Sequence, residues 1–206
     1  MNIEVLDESS PEGDEPGSAD PGVLADPADR APSPDDVARL AAYVMHVMRV
    51  HPEAELAVRL VEPDVIAALN EQWMGKEGPT DVLAFPMDEL RPAAPGESPE
   101  EGVLGDLVVC PAVAAQQAET VRAQGDAAYT TAREVELLVT HGILHLLGHD
   151  HAEPEEHRVM FGLQAQLLEA WCAGGTTPEG FDPLAGPEAF PATTTSTTAS
   201  TQGGSS

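Results

Sequence analysis

The sequence predicts an α+β domain: a small mixed sheet of about four strands covered by helices. Three observations carry this. Strand-like alternation and helix-like periodicity follow one another in the order β, α, β, α, β, β, α, α, α. The longest periodic run, residues 126–148, carries a stripe of Val135, Leu138, Val139, Gly142 and Leu146, so it is a helix with an apolar face to bury. Gly and Pro punctuate the segments at short intervals, as in a layered domain with brief connections.

Taken in order, "NIEVL" (2–6) alternates around Ile3 and Val5 and reads as a first strand. "SPDDVARLAAYVMHVMRV" (33–50) reads as a helix, with Ser33 as N-cap, Pro34 at the first helical position, and Val37, Leu40, Ala41, Val44, Val47 and Met48 on its inner face. His46 lies near that face and reads as a core or half-exposed side chain. "AELAVRLVE" (54–62) is a strand, and "EPDVIAALNEQWM" (62–74) a helix opened by Pro63 and stopped by Gly75. Trp73, at its end, reads as a buried residue, with base stacking as the alternative. Strands follow at 80–87 and 104–111, then a helix from Pro111 to Gly125. The run 126–148 and a last helix with Met160, Leu163, Leu167 and Trp171 inward complete the domain.

Two segments lack the apolar surface that would offset ordering entropy. Residues 9–33 are an acidic insert rich in Pro and Gly, and 174–206 a tail ending in Ser and Thr. Both are expected to be disordered, which leaves 1–8 and 34–173 as a single domain, and deletion of 174–206 is expected to change stability little. Cys110 and Cys172 are not paired in any motif and read as reduced thiols. The start has no signal-peptide pattern, and no run approaches the roughly 18 apolar residues of a membrane span. A cytoplasmic protein with no membrane contact is the expectation. The formal net charge is −27. Residues 37–172 alone hold 8 Lys/Arg against 22 Asp/Glu, a balance of −14, so the body repels nucleic acid at long range.

"HGILHLLGHDHAEPEEH" (141–157) holds five of the chain's seven histidines. On a helix His141 and His145 share one face, a turn apart, and two imidazoles so placed can grip one ion. Eight helical residues span about 12 Å, too far for His149 to extend that row toward an ion bound at about 2 Å. Gly148 therefore ends the helix, and either His149 or His151 returns as the third ligand; spacing does not choose between them. His157 reads as a surface residue or a hydrogen-bond donor behind the ligands. Three neutral imidazoles with an open position describe a catalytic zinc site at the end of a core helix, one ion per chain, and point to hydrolysis. The helix lacks the glutamate of the zinc peptidase pattern HExxH, because Gly142 stands there.

"HGILHLLGHDH" resembles the signature H-G-x-L-H-L-x-G-[YH]-D-H of the YbeY family of bacterial single-strand endoribonucleases, or rRNA maturation factors. "NEQWMGKEGPTDVLAFPMDE" (70–89), "GDLVVCPAVA" (105–114) and the opening "MNIEVLDES" are similar to that family as well. The resemblance implies zinc on His141, His145 and His151, with His149 standing where many members have Tyr. It also implies cleavage of single-stranded RNA, ribosomal RNA processing at the small-subunit 3′ end, and ribosome quality control; the acidic body then favours delivery of the RNA by ribosomal or ribosome-assembly proteins as partners. Met74 replaces a basic residue found before the Gly-Lys pair in some members, and Ala84 replaces the family's usual serine. Lys76 and Asp81 are the remaining candidates for handling phosphate or orienting substrate, with Arg59 a further source of positive charge, and Asp150 is a second acceptor or a turn former. The alternatives are a metallopeptidase-like hydrolase, disfavoured by Gly142, and a metal-stabilised ribosome-assembly factor with little cleavage activity.

Overall fold

The structure, a computed structural model, describes residues 1–9 and 30–190. Its strands are β1 (Asn2–Glu8), β2 (Glu55–Val61), β3 (Val82–Pro86) and β4 (Val103–Val109). Its helices are α1 (Pro34–Val47), α2 (Pro63–Met74), α3 (Pro111–Ala123), α4 (Thr131–Leu146) and α5 (Pro154–Cys172). They occur in the order that periodicity predicts. The sheet order is β1-β2-β4-β3, with β1, β2 and β4 parallel and β3 antiparallel to β4. This is an α+β fold with a mixed sheet of four strands.

Alternation along the strands divides the apolar side chains between two faces. Leu56, Val58 and Leu60 of β2, with Leu104, Leu107 and Val109 of β4, join the main core beneath α1, α4 and α5. Val61, Leu83 and Val108 face the other way and meet Ile66 of α2 in a smaller cluster. Helix α4 is central: ten of its sixteen residues are buried, and it touches α1, α3, α5, β3 and β4.

Local chemistry sets the helix ends. Ser33 caps α1 by accepting from the Asp36 amide at 3.2 Å, while Asp36 accepts from the Ser33 amide at 3.2 Å, a reciprocal box. Pro86 is tolerated in β3 because that strand is at the sheet edge. Helix α4 starts at Thr131, five residues later than its periodicity suggests, because the Thr130 hydroxyl accepts from the Arg133 amide at 3.2 Å and caps it there. His46 is exposed, and Trp73 is 62% exposed, so the expectation of a buried tryptophan does not hold.

The expected tail also needs correction. Residues 174–190 lie on the domain, and Phe181 and Phe190 join the main core at 9% and 8% exposure. The Tyr43 hydroxyl donates to the Thr176 carbonyl at 3.3 Å, and the Phe190 ring fills the space beside Gly162 of α5, where a Cβ would come within 2.1 Å of it. Two aromatic rings supply the apolar surface that composition alone denied this stretch. Most of the predicted insert and the rest of the tail, 10–29 and 191–206, lie outside the described residues.

Replacing Phe190 by Ala should therefore lower stability by about 3 kcal/mol, near the lower end for a buried phenylalanine. Urea unfolding monitored by circular dichroism measures it. A change within error would show that the ring is not packed in solution.

Candidate metal centre

The centre is built at the C-terminal end of α4. His141 and His145, one turn apart, bring their Nε2 atoms to 3.1 Å of each other. Two nitrogens bound at about 2.0–2.1 Å in a tetrahedron stand about 3.3 Å apart, so this spacing suits one shared ion. The helix then stops. Gly148 takes φ +85°, its amide donates to the His145 carbonyl at 2.9 Å, and the His149 amide donates to the Leu144 carbonyl at 3.0 Å. These two bonds form a Schellman turn, which reverses the chain. Asp150 tightens the loop by accepting from the His151 amide at 2.7 Å, the turn-forming role. His151 is thereby returned to the first two histidines. One ligand atom from each of His141, His145 and His151 lies within 4.8 Å of the others, a group able to hold a metal ion.

His149 is not in that group. Its Nε2 is buried with no hydrogen-bond partner among the described residues, and burial pushes its pKa down. His157 is exposed on α5 and stacks on Phe161.

The ring of His141 is oriented from behind. Its Nδ1 donates to the Gln164 side-chain oxygen at 3.0 Å, which leaves Nε2 as the free acceptor facing the group. Gln164 is 5% exposed on the inward stripe of α5, four residues after Met160. Sequence reasoning missed it, although a polar residue at a buried helical position was the available signal. Burial lowers the pKa of both His141 and His145, the Gln164 bond partly offsets this at His141, and neighbouring imidazoles lower both further. Both rings are thus biased toward the neutral, ligating form.

Gly142, between His141 and His145 in sequence, faces the sheet. A Cβ there would come within 2.1 Å of Leu107 Cδ1. A glutamate at this position would be driven into the core, so α4 cannot present the base of a zinc peptidase helix from it.

Of the other candidates only Asp81 lies near the group. The Asp81 carboxylate accepts from the Val82 amide at 2.8 Å, the Thr80 hydroxyl at 3.1 Å and the Gln117 side-chain amide at 2.9 Å, and its charge is felt at His141. Its oxygens are engaged in starting β3. Lys76 is exposed after α2 and makes no ion pair among the described residues. Arg59 is held in a two-pronged pair with Glu8 at 2.7 and 3.2 Å, on the sheet face away from α4.

The depressed imidazole pKa values carry a sign. In the unfolded chain these histidines take a proton near pH 6.5, and in the folded chain only at lower pH. Between those values the unfolded state binds more protons, so stability falls as pH falls. The metal-free chain should unfold at a lower urea concentration at about pH 5.5 than at about pH 7.5. Replacing His141, His145 and His149 together by Gln should flatten that dependence; an unchanged slope would assign it to other groups.

Comparison with known proteins shows the family. The family model for "Endoribonuclease YbeY" matches residues 29–172. A protein of that name from Nocardioides sp. (strain ATCC BAA-499 / JS614) is 66% identical over 143 residues, covering 68% of this chain and 92% of its own length. The one from Thermobifida fusca is 55% identical over 171 residues, covering 83% and 94%. The one from Kineococcus radiotolerans is 49% identical over 193 residues, covering 93% and 99%. With a family model that matches residues 29–172 and relatives 49–66% identical over most of its length, this chain belongs to the Endoribonuclease YbeY family.

Proposed function

We propose that this chain is a zinc-dependent endoribonuclease acting on single-stranded RNA in ribosomal RNA processing, at the small-subunit 3′ end, and in ribosome quality control. The name its relatives carry supports RNA cleavage. The observation that carries the metal reading is the group of three imidazoles, with no cysteine in it. A structural zinc site is closed by a fourth protein ligand, whereas a catalytic one leaves a position open.

His141, His145 and His151 would hold the ion. Zinc bound there would supply Lewis acidity toward a phosphoryl oxygen and an activated water. The chain's own residues orient the ligands and shape the site. Gln164 fixes the His141 ring, the turn at Gly148 delivers His151, and Gly142 keeps the helix against the sheet. Met74 leaves phosphate handling to Lys76 or to residues supplied by a partner. The acidic body favours few direct phosphate contacts and delivery of RNA by ribosomal or assembly proteins. No helix among the described residues is long and apolar enough to cross a membrane, and we place the protein in the cytoplasm on this reading.

Purified chain loaded with zinc should cleave a single-stranded RNA, spare the matched duplex, and leave a peptide substrate intact. His141→Ala, His145→Ala and His151→Ala should each lose stoichiometric zinc by mass spectrometry and lose cleavage with it. His149→Ala should keep the metal. Zinc retained by His151→Ala but lost by His149→Ala would reverse the ligand assignment. Full zinc with no cleavage of either RNA would favour the assembly-factor reading that Met74 suggests.

A further inference from the structure

Helix α5 presents three side chains in a row from solvent toward the histidine group. His157, Phe161 and Gln164 share one face, and Gln164 bonds His141. The Phe161 ring centroid lies 5.9 Å from those of both His141 and His151, so it walls the group. On the solvent side the His157 ring stacks on Phe161 at 4.2 Å and 17°. Phe161 remains 38% exposed and His157 is exposed. Two flat rings are therefore stacked at the mouth of the centre, and no described residue covers the outer face of His157 with another ring.

We propose that the His157–Phe161 pair is a stacking platform for a nucleobase flanking the cleaved phosphodiester, His157 receiving the base and Phe161 holding His157 in place; this rests on the endoribonuclease reading above. Stacking on a ring suits single strands of any sequence, because every base has a π-face. It also suits this surface. Glu153 at the N-cap and Glu155 and Glu156 in the first turn of α5 precede His157 and the chain carries −27, so phosphate contacts here are unfavourable while a base contact is not. The other exposed aromatic, Trp73, meets Phe85 at 6.0 Å and 67°, in the cluster on the far face of the sheet from α4.

The test uses the full zinc-loaded chain and a single-stranded RNA oligonucleotide with 2-aminopurine at successive positions around the cleaved linkage. Fluorescence is read on rapid mixing, before cleavage, and KM and kcat are measured alongside. One position should be quenched. His157→Ala should remove the quench and raise KM roughly tenfold with kcat little changed, and His157→Tyr should restore both. Phe161→Leu, which keeps an apolar wall, should lose most of the quench while retaining zinc by mass spectrometry. Trp73→Ala should behave as the unaltered chain. Cleavage by the unaltered chain with His157→Ala matching it in KM and quench would overturn the platform and leave the nuclease reading standing. A quench abolished by Trp73→Ala would move the base to the other face and likewise overturn it. An unaltered chain that neither binds nor cleaves the oligonucleotide would bring down both.

Discussion

Helix α4 lies against the sheet more closely than any side chain at position 142 would allow, and the rest of the centre depends on that contact. Gly142 meets Leu107 on one side of the seam. On the other, a Cβ at Gly105 of β4 would fall 2.2 Å from the Phe85 carbonyl oxygen and 3.1 Å from Leu146 Cδ2. Adding a methyl to so tight a contact costs about 1–3 kcal/mol, against a total stability of about 5–15 kcal/mol for a domain. The glycines therefore set the depth at which the last turn of α4 sits. They place His141 and His145 where α5 and the returning loop can meet them.

From that depth the electrostatics follow. Two half-buried imidazoles facing each other disfavour protonation, and the Gln164 carbonyl selects which nitrogen of His141 keeps its proton. The centre is thus a neutral donor set inside an acidic body. Charge selectivity toward a phosphodiester is left to what the donors would hold, to Lys76, or to a partner's surface. Arg59 does not supply it, being paired with Glu8 on the sheet face away from α4, which leaves Lys76 as the exposed candidate of the chain itself.

Most of the fold was legible because its strands and helices have clean periods; all nine of these elements appear in the predicted order. The histidine pair on α4 was legible for the same reason. The third member of the group was not, because the reversal after Gly148 is made by backbone hydrogen bonds that spacing does not encode, and only family resemblance favoured His151. Gln164 was hidden by habit: the inward stripe of α5 was read for its apolar members. Trp73 was misread because aromatic size argues for burial, whereas α2 leaves the end of the sheet face uncovered. Phe181 and Phe190 were invisible to periodicity, being isolated rings in a stretch rich in Pro and Gly whose partners lie far away in sequence.

The position of β1 has a consequence for colloidal behaviour. This strand precedes the segment that matches the family model, yet it pairs with β2 along its whole length, from Asn2↔Glu55 to Glu8↔Val61. It carries Glu4, Asp7 and Glu8, the last held by Arg59 of β2. A shortened chain beginning at the matched segment would present β2 instead, a seven-residue ribbon of free amides and carbonyls that carries Leu56, Val58 and Leu60 and leaves Arg59 without Glu8. An unpaired edge is a template for pairing with another molecule. The first strand, with three acids against one in β2, thus covers an edge that would otherwise invite sheet-to-sheet pairing, so it has a part in keeping molecules separate as well as in the fold.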